Sequence, residues 1–278
     1  MMGGELALSL QLGLIYGLVA VGVFLTFRVL NFADMTCDGS FMVGGCVASV
    51  LLRSGFSPVL AVLGAACGGA LTGCGTAFLH LRFHISDILA GILVAFSAYS
   101  INLRTLRGVP NLMLPAGTGR GLLLVACCCV VLLAFGYLLG TDFGLAFRSV
   151  GQNRELARSQ HISVKTALTF GLAAGNGCAG MGGAFFCLTQ DFCDVGSGTG
   201  TLIVGLASLV IGEAVLPFRS LWIRLVACFL GSIVYRLAVG FALHSDVPFL
   251  RPSDFNLLTA AFIVLTLALR RRRGSCCG

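Results

Sequence analysis

Residues 121–139 read GLLLVACCCVVLLAFGYLL, a stretch without a single charged side chain. At about 1.5 Å per helical residue, roughly 20 apolar residues cross the ~30 Å hydrocarbon core of a bilayer. Similar windows recur at 6–27, 58–79, 86–103, 166–188, 201–217, 221–243 and 254–270. Over the whole chain, 57% of residues are hydrophobic and 10% are charged, too few charges for the surface of a water-soluble domain. The sequence therefore predicts an integral membrane protein.

A shorter apolar piece at 39–52 is either a ninth span or half of a broken helix. We expect an all-α, polytopic transmembrane bundle of about eight to nine spans. We treat residues 1–278 as a single transmembrane domain. With nine crossings and Met1 outside, twelve Lys and Arg residues fall on the inner side and five on the outer side. Because inner loops carry the excess of Lys and Arg, this count favours Met1 outside and Gly278 inside.

Two polar breaks interrupt the apolar pattern in related form. Asn31-Phe32-Ala33-Asp34 precedes Asp38-Gly39-Ser40, and Asp191-Phe192-Cys193-Asp194 precedes Gly196-Ser197-Gly198. The shared Phe-x-Asp motif predicts broken helices and could mark an inverted repeat. Carboxylates at the centre of a membrane helix cost about 2.5–3.5 kcal/mol each, so these groups should border a water-filled route. They could instead be interfacial loop carboxylates, and Asn31 could simply cap the helix after the break.

The residues exclude several chemistries. No C-x-x-C pair occurs among the 13 cysteines, and the four histidines form no cluster with them, so we predict no metal site. Neither Gly-x-Ser-x-Gly nor His-Glu-x-x-His is present, which argues against an intramembrane enzyme. No GxxxxGK[ST] phosphate loop is present either, so the chain cannot hydrolyse ATP alone and needs no cofactor of its own.

A polar segment at about 141–165, TDFGLAFRSVGQNRELARSQHISVK, separates two apolar windows. Its arginines supply charge, and its apolar residues could enter a groove in a soluble partner. The apolar candidates are Leu145, Phe147, Leu156 and Ile162. The segment therefore predicts a docking helix, the alternative being a solvated loop without a partner.

Several runs, in order along nearly the whole chain, resemble the permeases of bacterial ABC importers of the branched-chain amino-acid type. The opening matches at 17–22, 30–32 and 38–41. The runs at 90–93, 99–104 and 198–213 resemble the branch assigned to tryptophan or tyrosine uptake. The pattern Gly144-x-x-x-Arg148-x-x-Gly151-x-Asn153 resembles the cytoplasmic loop that such permeases present to their ATPase. One departure is His161, where the family usually has glycine.

The resemblance implies a permease subunit in the bacterial cytoplasmic (inner) membrane. Its implied partners are an ABC ATPase subunit, which binds the ATP, an extracytoplasmic substrate-binding protein and a second permease copy or relative. ATP-driven closure would push the 141–165 segment and open the central cavity alternately to the two sides. The substrate would be a branched-chain or aromatic amino acid. A self-sufficient secondary transporter or channel for a small polar solute is the alternative, since broken helices serve those proteins too.

We predict two groups of functional residues. The ATPase-coupling residues are Gly144, Arg148, Gly151, Asn153, Arg154, Ala157, Arg158 and Ile162. The residues of the substrate pathway are Asn31, Phe32, Asp34, Asp38, Asn102 and Asp194.

Overall fold

The computed structural model of the chain describes residues 2–114, 120–216 and 220–244, and over these ranges it is almost entirely helical. The helices are α1 (Met2–Val23), α2 (Cys37–Arg53), α3 (Pro58–Phe83), α4 (Asp87–Thr105), α5 (Arg120–Gly140), α6 (Asp142–Gln152), α7 (Arg154–Ser159), α8 (Val164–Gln190), α9 (Thr201–Val215) and α10 (Leu221–His244). A π-helical segment, Phe24–Val29, continues α1. Two short strands, β1 (Asn111–Met113) and β2 (Phe192–Asp194), pair antiparallel, which the all-α prediction did not include.

Five helices of the described ranges are long and apolar enough to cross a membrane. They are Leu6–Val29, Pro58–Phe83, Asp87–Thr105, Arg120–Gly140 and Leu221–Phe241. These helices coincide with five of the predicted windows and confirm a helical membrane bundle. The predicted span 254–270 lies outside the described residues.

The remaining predicted windows form inner helices. The expectation of a full span at 201–217 was wrong, because α9 has 15 residues, roughly 22 Å at 1.5 Å per residue. Helix α8 is long enough at 27 residues, but it is rich in glycine and most of it is buried. It packs against α1, α2 and α3, so it does not need the apolar surface that lipid demands. The apolar piece at 39–52 lies in α2.

Glycine spacing explains how closely the inner helices approach. A Cβ added at Gly69 or Gly73 of α3 would lie 2.3 Å from the Asn176 carbonyl oxygen and 2.2 Å from that of Leu172. Only glycine permits this contact between α3 and α8, as the Gly-x-x-x-Gly spacing predicts. Not every such spacing packs, because a Cβ at Gly140 would meet nothing within 4 Å.

The bundle has two ends, each of which holds at least one ion pair. The end that carries α6 and α7, here called the α6 end, also holds the pairs Arg28–Glu213 and Arg154–Asp87. The opposite end, here called the β end, holds β1, β2 and the pair Arg120–Asp191. Arg28 and Arg154 thus lie at one end and Arg120 at the other, and the orientation of the two ends in the membrane stays a prediction.

Candidate functional site

The two breaks share one local geometry. Asn31 and Asp191 take left-handed backbone conformations, with φ of 50° and 57°. Among non-glycine residues, Asn and Asp tolerate these angles best. Each is followed directly by a Phe-x-Asp motif, whose carboxylate accepts a hydrogen bond from the backbone amide two residues later. The distances are 2.9 Å for Asp34 and 3.0 Å for Asp194. This matched geometry supports the predicted internal repeat.

The helices that follow the two breaks begin at the same place. Asp38, in the first turn of α2, accepts hydrogen bonds from the amides of Gly200 (3.0 Å) and Leu202 (2.7 Å) at the start of α9. Such amides have no partner within their own helix. From this junction α2 runs to the β end, and α9 runs to the α6 end, where Glu213 lies. The two broken helices thus point in opposite directions, as an inverted repeat requires.

A cavity of about 380 Å³ lies beside this junction. Its volume falls within the roughly 300–1,000 Å³ that small-molecule sites occupy. The cavity combines aromatic rings with a carboxylate, an amide and a hydroxyl group. Its lining consists of Asp38, Gly39, Met42, Ala95, Phe96, Tyr99, Asn102, Val195, Gly198 and Thr199.

Asn102 is the buried polar group that this cavity leaves without a partner. The residue is 2% exposed, and within the described part of the chain its Nδ2 atom has no hydrogen-bond partner. A buried donor without a partner costs about 1–3 kcal/mol, and this donor would gain one from a ligand oxygen if the amide turned toward the cavity that Asn102 lines. The cavity thus brings together two of the predicted pathway residues, Asp38 and Asn102.

The other predicted pathway residues lie elsewhere. Asp194 directly precedes the cavity residue Val195, but its carboxylate is bonded within its own turn. Phe32 is fully buried, with its ring centroid 5.2 Å from that of His80. Asn31 is exposed and follows the π-helical segment, whereas the N-cap of α2 is Thr36. Asn31 therefore terminates the preceding helix and does not cap the next one.

Asp34 belongs to a buried polar network. The residue is 2% exposed, and its Oδ2 atom accepts a hydrogen bond of 2.6 Å from the Asn176 amide. The Ser40 hydroxyl donates to Asn176 Oδ1, also at 2.6 Å. The expectation that Asp34 borders a solvent route does not hold in this structure, because protein groups satisfy its carboxylate. Sequence reasoning missed Asn176, although an amide inside the glycine-rich run 175–183 was a usable signal.

A second missed group is Arg236 on α10. Its guanidinium carbon lies 4.1 Å from the centroid of the Tyr16 ring, which is stacked on Phe41 at 6.1 Å. A cation over an aromatic face is stabilised by the electrons of the ring. An arginine inside the apolar window 221–243 was the signal, since charged groups within spans are rare. This contact links α10, α1 and α2 in the interior.

The predicted docking helix at 141–165 is in fact two helices. The Asn153 side-chain oxygen accepts hydrogen bonds from the amides of Glu155 (3.0 Å) and Leu156 (3.1 Å) and so caps α7. Asn153 itself has extended backbone angles, which end α6 one residue earlier. The chain therefore bends at Asn153 between two short helices.

Three of the predicted coupling residues pack the segment onto the bundle. A Cβ at Gly151 would lie 1.8 Å from the Val29 carbonyl oxygen, and one at Gly144 would lie 2.5 Å from that of Leu138. Ala157 is 1% exposed. These small residues permit close contact with the membrane helices, so their side chains are not available to a partner.

The outward surface of the segment is formed by other side chains. Leu145 and Leu156 are 55% and 59% exposed, and Arg158 of α7 is exposed as well. The expectation that Phe147 is an outward apolar contact was wrong. Phe147 is 1% exposed because it packs inward against Gly171 of α8.

The remaining coupling residues are partly buried. Arg148 donates from Nε to the Gly144 carbonyl oxygen at 3.3 Å. Arg154 lies 3.8 Å from the Asp87 carboxylate at the start of α4. Ile162 packs against the core. These three side chains therefore hold the segment in place as well as contributing to its surface.

His161 ends α7 in the way that a glycine would. It takes a left-handed conformation with φ of 59°, and its amide donates to the Arg158 carbonyl at 3.0 Å. The Ile162 amide donates to the Ala157 carbonyl, also at 3.0 Å. This pair of bonds is the Schellman motif that glycine usually completes. The turn therefore keeps its shape despite the histidine.

The family model described as "Branched-chain amino acid transport system / permease component" matches residues 6–267. The chain belongs to this permease family. The permease is 33% identical over 276 residues to the "Tyrosine transport system permease protein" of Clostridioides difficile (strain R20291), covering 96% of this chain and 91% of that one. It is 25% identical over 277 residues to the "Uncharacterized protein RP368" of Rickettsia prowazekii (strain Madrid E), covering 95% and 97%. No solved structure matches the permease.

Family and fold together establish the location and the general function of the permease. It is a multi-pass membrane protein and a permease component of an amino-acid transport system. It is a transporter component, not a catalytic enzyme. Its description as a system component implies further components beside it.

Proposed function

We propose that this permease is the membrane subunit of an ATP-driven importer for an aromatic amino acid, with tyrosine as the first substrate to test. The observation that carries the proposal is the cavity where α2 and α9 begin, with an unpaired amide and a carboxylate on its wall. The name of the Clostridioides relative supports tyrosine. Family membership argues against a self-sufficient secondary transporter or channel.

The cavity offers a complementary group for each part of such a substrate. With its amide turned into the cavity, Asn102 can donate from Nδ2 to the α-carboxylate, and the Asp38 carboxylate can face the ammonium group. The rings of Phe96 and Tyr99 can pack against the aromatic side chain. Because Asp38 also caps α9, an ammonium group beside it would weaken that cap. Substrate occupancy would then be linked to the position of the broken helix.

Two lining residues of the cavity, Phe96 and Tyr99 of α4, are exposed, which favours a second permease copy or a related subunit that covers them. The rim residues Phe96 and Tyr99 are 74% and 51% exposed. Polar groups of Asp38 and Thr199 lie behind them, and hydrocarbon is a poor environment for such groups. A second subunit that covers the opening would keep lipid out of the cavity.

The α6 end supplies the surface for an ATPase subunit. Exposed Leu145, Leu156 and Arg158 provide apolar contacts and charge for a partner groove. We place this end in the bacterial cytoplasm and assign substrate delivery to an extracytoplasmic binding protein at the β end. The ATPase binds the nucleotide. Its closure moves α6 and α7 and opens the cavity alternately to the two sides.

We expect Asn102→Ala to raise the KM for tyrosine uptake by the complete complex about 10- to 100-fold, as for a lost hydrogen bond to a charged group worth about 1.5–3 kcal/mol. The measurement is uptake of labelled tyrosine into proteoliposomes with ATP inside. Ser97→Ala on the same helix is the control, because the Ser97 hydroxyl is exposed and bonds to its own helix. Equal KM values for Asn102→Ala and the native chain would remove the cavity from the proposal. Uptake without ATP would favour a secondary transporter.

The orientation gives a separate prediction. We expect Ser54→Cys at the β end to react with a membrane-impermeant thiol reagent in intact cells, and Ser159→Cys at the α6 end to react only after lysis. Both positions are exposed and carry side chains of similar size. The background should lack Cys67 and Cys129, which are exposed among the described residues, and also Cys276 and Cys277, which lie outside them. The reverse pattern would place the α6 end outside and away from any cytoplasmic ATPase.

A further inference from the structure

The α6 helix touches the membrane bundle at an irregular segment. Gly151 lies against the Val29 carbonyl oxygen at the end of the π-helical segment Phe24–Val29. The next residue, Leu30, is buried, and both Leu30 and Phe147 of α6 lie against Gly171 of α8. Single-turn π segments are rare and frequently occur at functional sites. A displacement of α6 would therefore act first on the segment 24–30.

This segment is joined to α9 by a two-point ion pair. Arg28 donates from Nε to Glu213 Oε1 at 2.6 Å and from a terminal nitrogen to Oε2 at 2.5 Å. Such fork-to-fork geometry fixes direction as well as distance. The Glu213 side chain is 5% exposed, whereas that of Arg28 is 48% exposed. The two hydrogen bonds tie Glu213, and with it the end of α9, to Arg28, so α9 should follow Arg28 when the segment moves.

Helix α9 leads from this ion pair to the cavity. Its last turn holds Glu213, and its first turn is capped by Asp38 of α2. The residues just before it, Gly198 and Thr199, line the cavity. Helix α9 has 15 residues and is roughly 22 Å long, and a single helix moves as a stiff unit, so a displacement of one end is transmitted to the other.

We propose that Arg28 and Glu213 are positioning residues for the transport cycle, which transmit the movement of α6 through α9 to the cavity wall. The proposal rests on the proposed function, because it assumes an ATPase that moves α6. The pair does not touch the substrate. Its role is to make the cavity respond to ATP.

The first test separates coupling from docking. In proteoliposomes that hold the complete complex, we expect Arg28→Ala and Glu213→Gln each to lower tyrosine uptake per ATP hydrolysed by about tenfold, equivalent to about 1.4 kcal/mol. ATPase activity should stay near that of the native complex. The double variant Arg28→Ala/Glu213→Gln should be no worse than either single one, and the exchange Arg28→Glu/Glu213→Arg should restore part of the ratio.

The pair Arg120–Asp191 at the β end provides a matched control, because it joins α5 to the end of α8, away from this route. Arg120→Gln should leave the ratio unchanged. Additive losses in the double variant, or native ratios in the single variants, would overturn the proposal. Joint loss of uptake and ATPase activity would also overturn it, since the pair would then serve assembly.

The second test does not depend on the substrate. Thr199→Cys places an exposed thiol on the cavity wall, in a background that lacks Cys67, Cys129, Cys276 and Cys277. With the ATPase subunit present, we expect ATP to change the rate of labelling by a polar thiol reagent, and Glu213→Gln to abolish that change. An ATP response without tyrosine uptake would reject the proposed substrate and retain the transmission route. An ATP-dependent change in labelling that persists in Glu213→Gln would reject the route. The absence of any such change while Arg28 and Glu213 are both native would also reject it.

Discussion

Replacing Gly151 by alanine is expected to lower uptake by about 10- to 100-fold, because overpacking of a close contact costs about 1–3 kcal/mol. The added Cβ would lie 1.8 Å from the Val29 carbonyl oxygen, and its nearest neighbours are all backbone atoms. Backbone cannot rotate away as a side chain can, so α6 must shift off the π-helical segment. Uptake and substrate-stimulated ATPase activity of the complete complex should both fall.

Gly140→Ala is the matched control for this substitution. Gly140 is the last residue of α5, directly before the segment 141–165, but a Cβ there would meet nothing within 4 Å. Alanine is the better helix former, so this change should leave uptake within about twofold of the native value. If Gly151→Ala behaves like Gly140→Ala, the contact between α6 and Val29 has no part in coupling.

A second large effect is expected at Gly183, in the centre of the bundle. Its added Cβ would lie 1.7 Å from the Phe41 carbonyl oxygen and 3.1 Å from the Gly45 amide nitrogen, both in α2. Helices α2 and α8 would have to separate, which also strains the Asp34–Asn176 hydrogen bond between the first break and α8. We expect Gly183→Ala to lower the melting temperature in detergent by ~5–10 °C, from about 1–3 kcal/mol of overpacking.

Gly177→Ala on the same helix is the comparison. Its Cβ would lie 3.4 Å from the Ala66 carbonyl oxygen, an ordinary van der Waals contact. Thermal unfolding followed by circular dichroism should therefore show little loss for Gly177→Ala. Equal melting temperatures for the two variants would mean that α2 and α8 are not as closely packed as the structure indicates.

The two effects have a common origin in the way this bundle is built. Helices α2, α8 and α9 lie inside, where glycine replaces large apolar side chains and backbone meets backbone. The outer spans instead present large apolar side chains such as Leu122 and Leu133 of α5. Small residues promote close helix approach in membranes, and that closeness makes the inner helices sensitive to one added methyl group.

Local chemistry was enough to predict much of the fold. Five spans and the two breaks follow from hydropathy and from the Phe-x-Asp motifs. These features depend on residues close together in the chain. Each outer helix must present apolar side chains to lipid on its own, so its hydropathy can be read from its own sequence without knowing which helices pack beside it.

Contacts between distant residues needed the tertiary structure. Asp34 and Asp38 are both carboxylates near a break. Asp34 accepts a hydrogen bond from Asn176 inside the bundle, whereas Asp38 caps α9 beside the cavity. Phe147 and Leu145 look alike on α6, yet one packs on α8 and the other faces solvent.

The sequence by itself determined that this protein is a helical membrane permease with two interrupted helices and a polar segment between spans. Only the tertiary structure decided which polar groups meet. Partners such as Arg28 and Glu213 lie 185 residues apart in the chain, and their pairing depends on how α9 folds back to the α6 end. Hydropathy depends only on how unfavourable each side chain is in lipid, whereas a hydrogen bond or ion pair depends on where the helices cross.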